Sequence, residues 1–236
     1  MSGRRRSGAS PGGRGATVRV ATAARRRPSS TRWLERQLND PYVAEARRLG
    51  YRSRAAFKLL QLDERFHLLA PGRRVVDLGA APGGWTQVAV ARVVSPGNPA
   101  GRVVAVDLSP MDPVAGATVL QLDARDEEAL KAIQTAMGGP ADLVLSDMAP
   151  PAIGHAQTDH LRIIALAETA HDCATRLLAP GGTFVCKVLQ GGAQGNLLAS
   201  LKRDFASVRH VKPAASRADS SEVYLVATGY RGHQDD

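Results

Sequence analysis

The residues with the most chemical potential lie in Val75-Val76-Asp77-Leu78-Gly79-Ala80-Ala81-Pro82-Gly83-Gly84-Trp85, a β-rich apolar run that breaks into a glycine-rich turn. Glycine lets the backbone turn tightly and lets a ligand approach it closely. A dinucleotide site would carry G-x-G-x-x-G here, but the glycines fall at 79, 83 and 84. Asp77 also stands at the approach to the turn, where its charge would repel a pyrophosphate. Further polar groups end the apolar runs that follow: Asp107, Asp123, Asp147 and Lys187. A carboxylate such as Asp107 after a second strand can accept both hydrogens of a ribose diol, and Asp123 is placed to receive the exocyclic amine of adenine. A nucleoside that is cationic and free of phosphate suits this set. S-adenosylmethionine, with its ammonium and sulfonium, is the cofactor expected.

The elements that must position these groups alternate regularly. Strands are predicted over 73–80, 102–108, 117–123, 141–147, 182–189, 206–213 and 222–230, and helices over 83–94, 125–137, 158–178 and 196–205. Valine-rich strands without polar alternation, interleaved with helices, imply an α/β fold: a mostly parallel seven-stranded sheet covered on both faces. In such open sheets ligands bind beyond the carboxyl ends of the strands, where the acids fall. Residues 31–66 have helical spacing broken at Asn39-Asp40-Pro41 and at Gly50, so two or three short helices should lead into the sheet. One domain is expected over 31–236, with helices at 31–66 and the sheet at 73–230.

Net charge is +9, but it is unevenly spread. Residues 1–34 carry nine of the 31 basic residues and no acid, so the remaining 22 basic residues meet 22 acidic ones. The tail, residues 1–30, holds few large apolar side chains, is expected to be disordered when free, and suits a polyanion. Its Arg and Ser content also fits a mitochondrial transit peptide, although its many glycines fit one poorly. Arg47, Arg48, Arg52, Arg54, Lys58, Arg73 and Arg74 read as a phosphate track, with Tyr42, Tyr51 and Phe57 as bases' stacking partners or core. No apolar run reaches the ~18 residues a membrane span needs. The two cysteines, Cys173 and Cys186, lack metal or disulfide spacing, and the six histidines lack paired ligand spacing, so no metal is expected. These features fit a cytoplasmic monomer.

The stretches SRAAFKLLQLDE (53–64), VVDLGAAPGGWTQVA (75–89), VVAVDLSPMDP (103–113), LVLSDMAPPAIG (143–154), LAPGGTFVCKVLQGG (178–192) and SRADSSEVYLVATG (216–229) together resemble the FtsJ/RrmJ-type ribose 2′-O-methyltransferases. The likeness runs over roughly residues 31–230 and is nearest to the bacterial branch acting on 23S rRNA of the large ribosomal subunit. It implies a Rossmann-like S-adenosylmethionine-dependent methyltransferase fold and methylation of a uridine ribose in the A loop. It also implies a catalytic set of Lys58, Asp147, Lys187 and Glu222, and cofactor positions Gly83, Trp85, Asp107, Asp123 and Asp147. A ribose hydroxyl is a very weak acid, so a base at its oxygen assists attack on a methyl carbon. A lysine serves as base only when neutral, a state favoured by partial burial and a second cation nearby. Lys187 is the expected base, Asp147 its orienting group, and Glu222 the partner of Lys58 or of the hydroxyl. A tRNA anticodon-loop methyltransferase and a non-catalytic ribosome assembly factor on the same scaffold remain alternatives. A base-directed enzyme would more commonly carry Asn-Pro-Pro-aromatic where this chain has Asp147-Met148-Ala149-Pro150.

Overall fold

A computed structural model describes residues 31, 34, 35, 37–95, 100–150, 154–191 and 195–232. The arginine-rich tail, residues 1–30, lies outside the described residues. The chain divides into two units, Met1–Ala44 and Glu45–Asp236.

Ahead of the sheet lie α1 (Pro41–Leu49) and α2 (Ala56–Phe66). Proline is suited to the first helical position because its missing N–H would have no partner there. The side chain of Asp40 accepts from the Tyr42 amide at 3.0 Å, and α1 stops at Gly50. Thereafter come β1 (Arg74–Leu78), α3 (Gly84–Val93), β2 (Arg102–Asp107), β3 (Thr118–Gln121), α4 (Glu127–Met137) and β4 (Ala141–Ser146). They are followed by α5 (Ala156–Leu177), β5 (Leu178–Leu189), α6 (Gly195–Asp204), β6 (Phe205–Val211) and β7 (Glu222–Tyr230). These elements fall where the sequence periodicity puts them. Several boundaries shift by one to four residues, two of them for visible reasons. The α4 helix starts after the Asp123 side chain has closed a turn onto the Arg125 amide (3.0 Å), and β5 begins early because Leu178 already pairs with Ala141.

The sheet order is β3-β2-β1-β4-β5-β7-β6. Strand β1 is paired in parallel with both β2 and β4, and β4 in parallel with β5, whereas β7 runs antiparallel to β5 and β6. The direction of strand order therefore reverses at β1 and β4, whose carboxyl ends open on one crevice. Each face is covered. Val76, Leu78, Val104 and Phe184 pack with Leu130 and Ile133 of α4, Ala170 of α5 and Leu201 of α6. Val75, Val103, Leu145, Val185 and Tyr224 pack with Leu59 and Leu62 of α2 and Val88 of α3. Strands buried on both sides need apolar residues at successive positions, hence the continuous valine runs. Among the described residues, no helix is long and apolar enough to cross a membrane.

The turn after β1 is tightly constrained at Gly79. Its φ is +73°, and a Cβ there would lie 2.8 Å from Met148 Cα and 2.9 Å from Met148 N. The loops after β1 and β4 can touch only because this side chain is absent. Gly79→Ala should destabilise the protein by about 1–3 kcal/mol, the usual scale of such strain. Chemical denaturation would measure it, and an unchanged midpoint would show that the two loops part easily.

Candidate active site

Lysine 187 sits in the middle of the sheet because of strand periodicity. Along β5, Phe184, Cys186 and Val188 pack on the α4–α5–α6 side, while Val185 packs on the α2–α3 side. Side chains alternate along a strand, so Lys187 shares the face of Val185. Its partner across the antiparallel pair is Tyr224, and the next pairing on that face sets Leu189 opposite Glu222. Helix α2 brings Lys58 onto the same face, and Asp147 follows directly on the end of β4.

The four expected catalytic residues come together there. Lys58 Nζ lies 2.6 Å from Glu222 Oε1, and Lys187 Nζ lies 3.1 Å from Asp147 Oδ1 while donating to the Asp147 carbonyl at 2.6 Å. Both lysines are buried, with side-chain exposures of 9% and 8%. A fifth group, Tyr224, stands between the pairs. Its hydroxyl donates to Asp147 Oδ1 at 2.7 Å and accepts from Lys58 Nζ at 3.2 Å. Burial by itself would raise the Asp147 carboxyl, but the Lys187 and Lys58 ammonium groups and the Tyr224 hydroxyl outweigh it and hold it below the usual range. Burial, with the Asp147 and Glu222 charges, keeps Tyr224 protonated far into alkali. Sequence reading passed over Tyr224, although Glu222 and Tyr224, two apart in a strand, must share a face.

Beside this cluster a cavity of about 630 Å³ opens at the carboxyl ends of β1 to β4. Asp107, Asp123 and Asp147 line it, together with Leu108 and, from α5, Arg162. Asp107 also organises the wall, accepting from the amides of Ala81 (2.9 Å) and Ser109 (2.7 Å). The oxygens of Asp123 both accept from the Arg125 guanidinium, which lowers its carboxyl below the ordinary value. Gly83 and Trp85 do not line the cavity. A Cβ on Gly83 would meet Arg52 Nη1 at 2.9 Å, so this glycine faces the preceding segment. The Trp85 ring is buried, its indole N–H donating to the Ala55 carbonyl at 2.7 Å and its ring lying 5.5 Å from that of Tyr224. It is a support beneath the cluster.

Four of the arginines expected to form a phosphate track have partners within the chain. Arg52 donates to the carbonyls of Pro82 (3.2 Å), Asp112 (2.6 Å) and Pro113 (2.7 Å), Arg54 to that of Ala215, and Arg73 to that of Leu68. Arg48 pairs with Glu45. Arg52, Arg54 and Arg73 thus hold backbone carbonyls of loops. Arg52 in particular joins the turn after β1 to the segment after β2, on either side of the cavity. Tyr51 and Phe57 pack edge to face at 5.8 Å. Among the described residues, no three His, Cys, Asp or Glu side chains gather as metal ligands.

Asp77 lies one residue before the end of β1, close to the glycine turn, and is fully buried. Thr86 donates to its Oδ2 at 2.7 Å, while its Oδ1 has no hydrogen-bond partner among the described residues. Burial, reinforced by the Asp147 and Asp107 charges and opposed by Thr86, raises its carboxyl from 3.8 to about 7. Between about pH 4 and 7 the folded chain therefore holds a proton that the unfolded chain has released, so Asp77's contribution to stability falls as pH rises through that window. The melting temperature of the wild type should drop relative to that of Asp77→Asn between about pH 5 and 7.5. A difference that stays constant with pH would refute the burial argument.

Comparison with known proteins identifies the family. Residues 51–230 match the model of a family described as FtsJ-like methyltransferase. The chain is 60% identical over 228 residues to "Ribosomal RNA large subunit methyltransferase E" of Paramagnetospirillum magneticum, covering 96% of this chain and 93% of that one. It is 61% identical over 218 residues to the protein of the same name from Acidiphilium cryptum, covering 92% and 94%. A crystal structure from Plasmodium falciparum, described as that of a ribosomal RNA methyltransferase, superposes with a TM-score of 0.68 at 29% identity, over 78% of this chain and 100% of that one. With a family match across the sheet and the cluster at its centre, the chain belongs to the FtsJ-like methyltransferases.

Proposed function

We propose that this protein transfers the methyl group of S-adenosylmethionine to the 2′-oxygen of a uridine ribose in the A loop of 23S rRNA, with Lys187 as general base. The observation that carries the reading is the double placement of Asp147. It lines the cavity on one side and, through Oδ1, holds Lys187 and Tyr224 on the other. The names of the bacterial relatives support ribosomal RNA as the substrate. The uridine and the A loop rest on the sequence resemblance.

The cavity suits the cofactor. Its volume of about 630 Å³ falls among those of small-molecule sites. Leu108, 62% exposed although large and apolar, offers a flat heterocycle a hydrophobic wall. Asp107 would hold the ribose diol through lone pairs left beyond its two amide contacts, and Asp123 would share its oxygens between Arg125 and the adenine amine. The partnerless oxygen of buried Asp77 fits a nearby cation. When bound, S-adenosylmethionine supplies an electrophilic methyl carbon on a sulfonium.

The chain's own groups do the rest. After its own ammonium proton has passed to solvent, Lys187 takes the proton from the 2′-hydroxyl as the oxygen attacks and so returns to the ammonium form. Asp147 orients Lys187 through its carboxylate and its carbonyl. Lys58, held by Glu222, supplies a fixed positive charge beside the developing alkoxide. General-base assistance of this kind contributes about 10²- to 10⁴-fold.

Lys187→Ala should therefore lose stability, because buried Asp147 loses its ion-pair partner, yet stay folded and bind S-adenosylmethionine while losing about 10²- to 10⁴-fold in methyl transfer, measured by tritium incorporation into large-subunit particles. Near-normal turnover would sink the base assignment. Mapping ribose methylation across total RNA in a strain lacking the protein should reveal the loss of one mark in the 23S A loop. Loss confined to tRNA would move the substrate to the anticodon loop, and no loss anywhere would favour an assembly role.

A further inference from the structure

Two buried ion pairs side by side could in principle act separately. Here one hydroxyl joins them. The Tyr224 oxygen is 2.7 Å from Asp147 Oδ1, 3.2 Å from Lys58 Nζ and 3.4 Å from Glu222 Oε1. We propose that Tyr224 is a positioning residue for methyl transfer, its hydroxyl fixing Asp147 and Lys58 relative to each other so that the two lysines act as one preorganised unit. The proposal deepens the methyltransferase reading and rests on it for the reaction measured.

The chemistry of the donors fixes the direction of the chain. An ammonium has no lone pair, so Lys58 must donate to the phenol oxygen. The single phenol hydrogen then goes to the nearer and better placed carboxylate oxygen, Asp147 Oδ1. The series runs Lys58 N–H to Tyr224 O–H to Asp147 carboxylate. The acceptor Oδ1 also faces the Lys187 ammonium, so two donors converge on one oxygen. The charged groups around Tyr224 are Lys58 from α2, Asp147 from the end of β4, Lys187 from β5 and Glu222 from β7, with Asp77 of β1 next to Asp147 in the electrostatic field. Two cations and two anions meet at a neutral hydroxyl, which adds directional hydrogen bonds without disturbing that balance.

The ring makes the hydroxyl a rigid post. Tyr224 is fully buried, lies against Trp85, and carries Lys58 Nζ 5.6 Å from its ring centroid. It also stands directly across the sheet from Lys187. A phenylalanine would keep this packing and lose only the oxygen. Asp147 would then keep Lys187 but lose its second donor, and Lys58 would keep Glu222 but lose its second acceptor. Misplacement of reacting groups by about 1 Å costs up to about 10²-fold in rate.

The test is Tyr224→Phe in the full-length protein, with tritiated S-adenosylmethionine and 23S-bearing particles under single turnover. The rate constant should fall about tenfold or more, while the KM values for cofactor and particle stay within about twofold. A rate within about twofold of the parent, or a loss carried by KM, would overturn the proposal. If Tyr224→Phe does not fold, 3,5-difluorotyrosine at this position retains the ring and changes only the donor strength of the hydroxyl. Its rate should then differ from that of the parent, and an unchanged rate would count against the role. Lys187→Ala measured in parallel separates the two ideas. Normal turnover there with a slow Tyr224→Phe would remove the base assignment and leave the positioning role standing.

Discussion

An ammonium group taken out of water costs on the order of several kcal/mol unless opposite charge and hydrogen bonds replace its hydration. Most of this protein's site follows from that constraint applied twice. Lys187 is carried into the sheet by the strand on which it lies, and Lys58 is brought over it by α2. Each then requires an anion within contact distance. Asp147 and Glu222 meet that need at 3.1 and 2.6 Å. Because Asp147 is itself buried, its charge is sustained by the lysines in turn. Removing one member would leave its partners as uncompensated buried charges. The cluster is best understood as a single electrostatic object whose parts come from α2, β4, β5 and β7.

The sheet topology gives this object access to a ligand. The reversal of strand order at β1 and β4 leaves a crevice at their carboxyl ends, and the glycine turn after β1 lets the β4 loop close against it. Asp147 stands at that junction. Cavity and cluster therefore share a wall, and a group bound in one can be presented to the other. Arg52 contributes from outside the crevice by binding three carbonyls from the turn after β1 and the segment after β2. Three hydrogen bonds from one guanidinium hold the two segments together.

How far the site could be read in advance depended on the range of the physics involved. Lys58, Asp147, Lys187 and Glu222 were identifiable through motif resemblance, and the structure brings them together as two ion pairs joined by Tyr224. Tyr224 was not singled out, because a tyrosine in a valine-rich strand looks like core, which its ring is. Only its hydroxyl belongs to the site. The Trp85 indole finds its acceptor on Ala55 and turns inward.

The sequence by itself determined the alternation of strands and helices, the covering of both sheet faces and the acids at the strand ends. These follow from periodicity and burial, which act between residues a few positions apart. Only the tertiary structure decided which arginines are structural, where the two indole and phenol rings point, and how the charges pair. Those outcomes depend on partners far apart in the chain: Arg52 finds a carbonyl 60 residues away, and Lys58 finds its phenol 166 residues away. No local pattern encodes such distances, because the folded sheet is what brings the partners together.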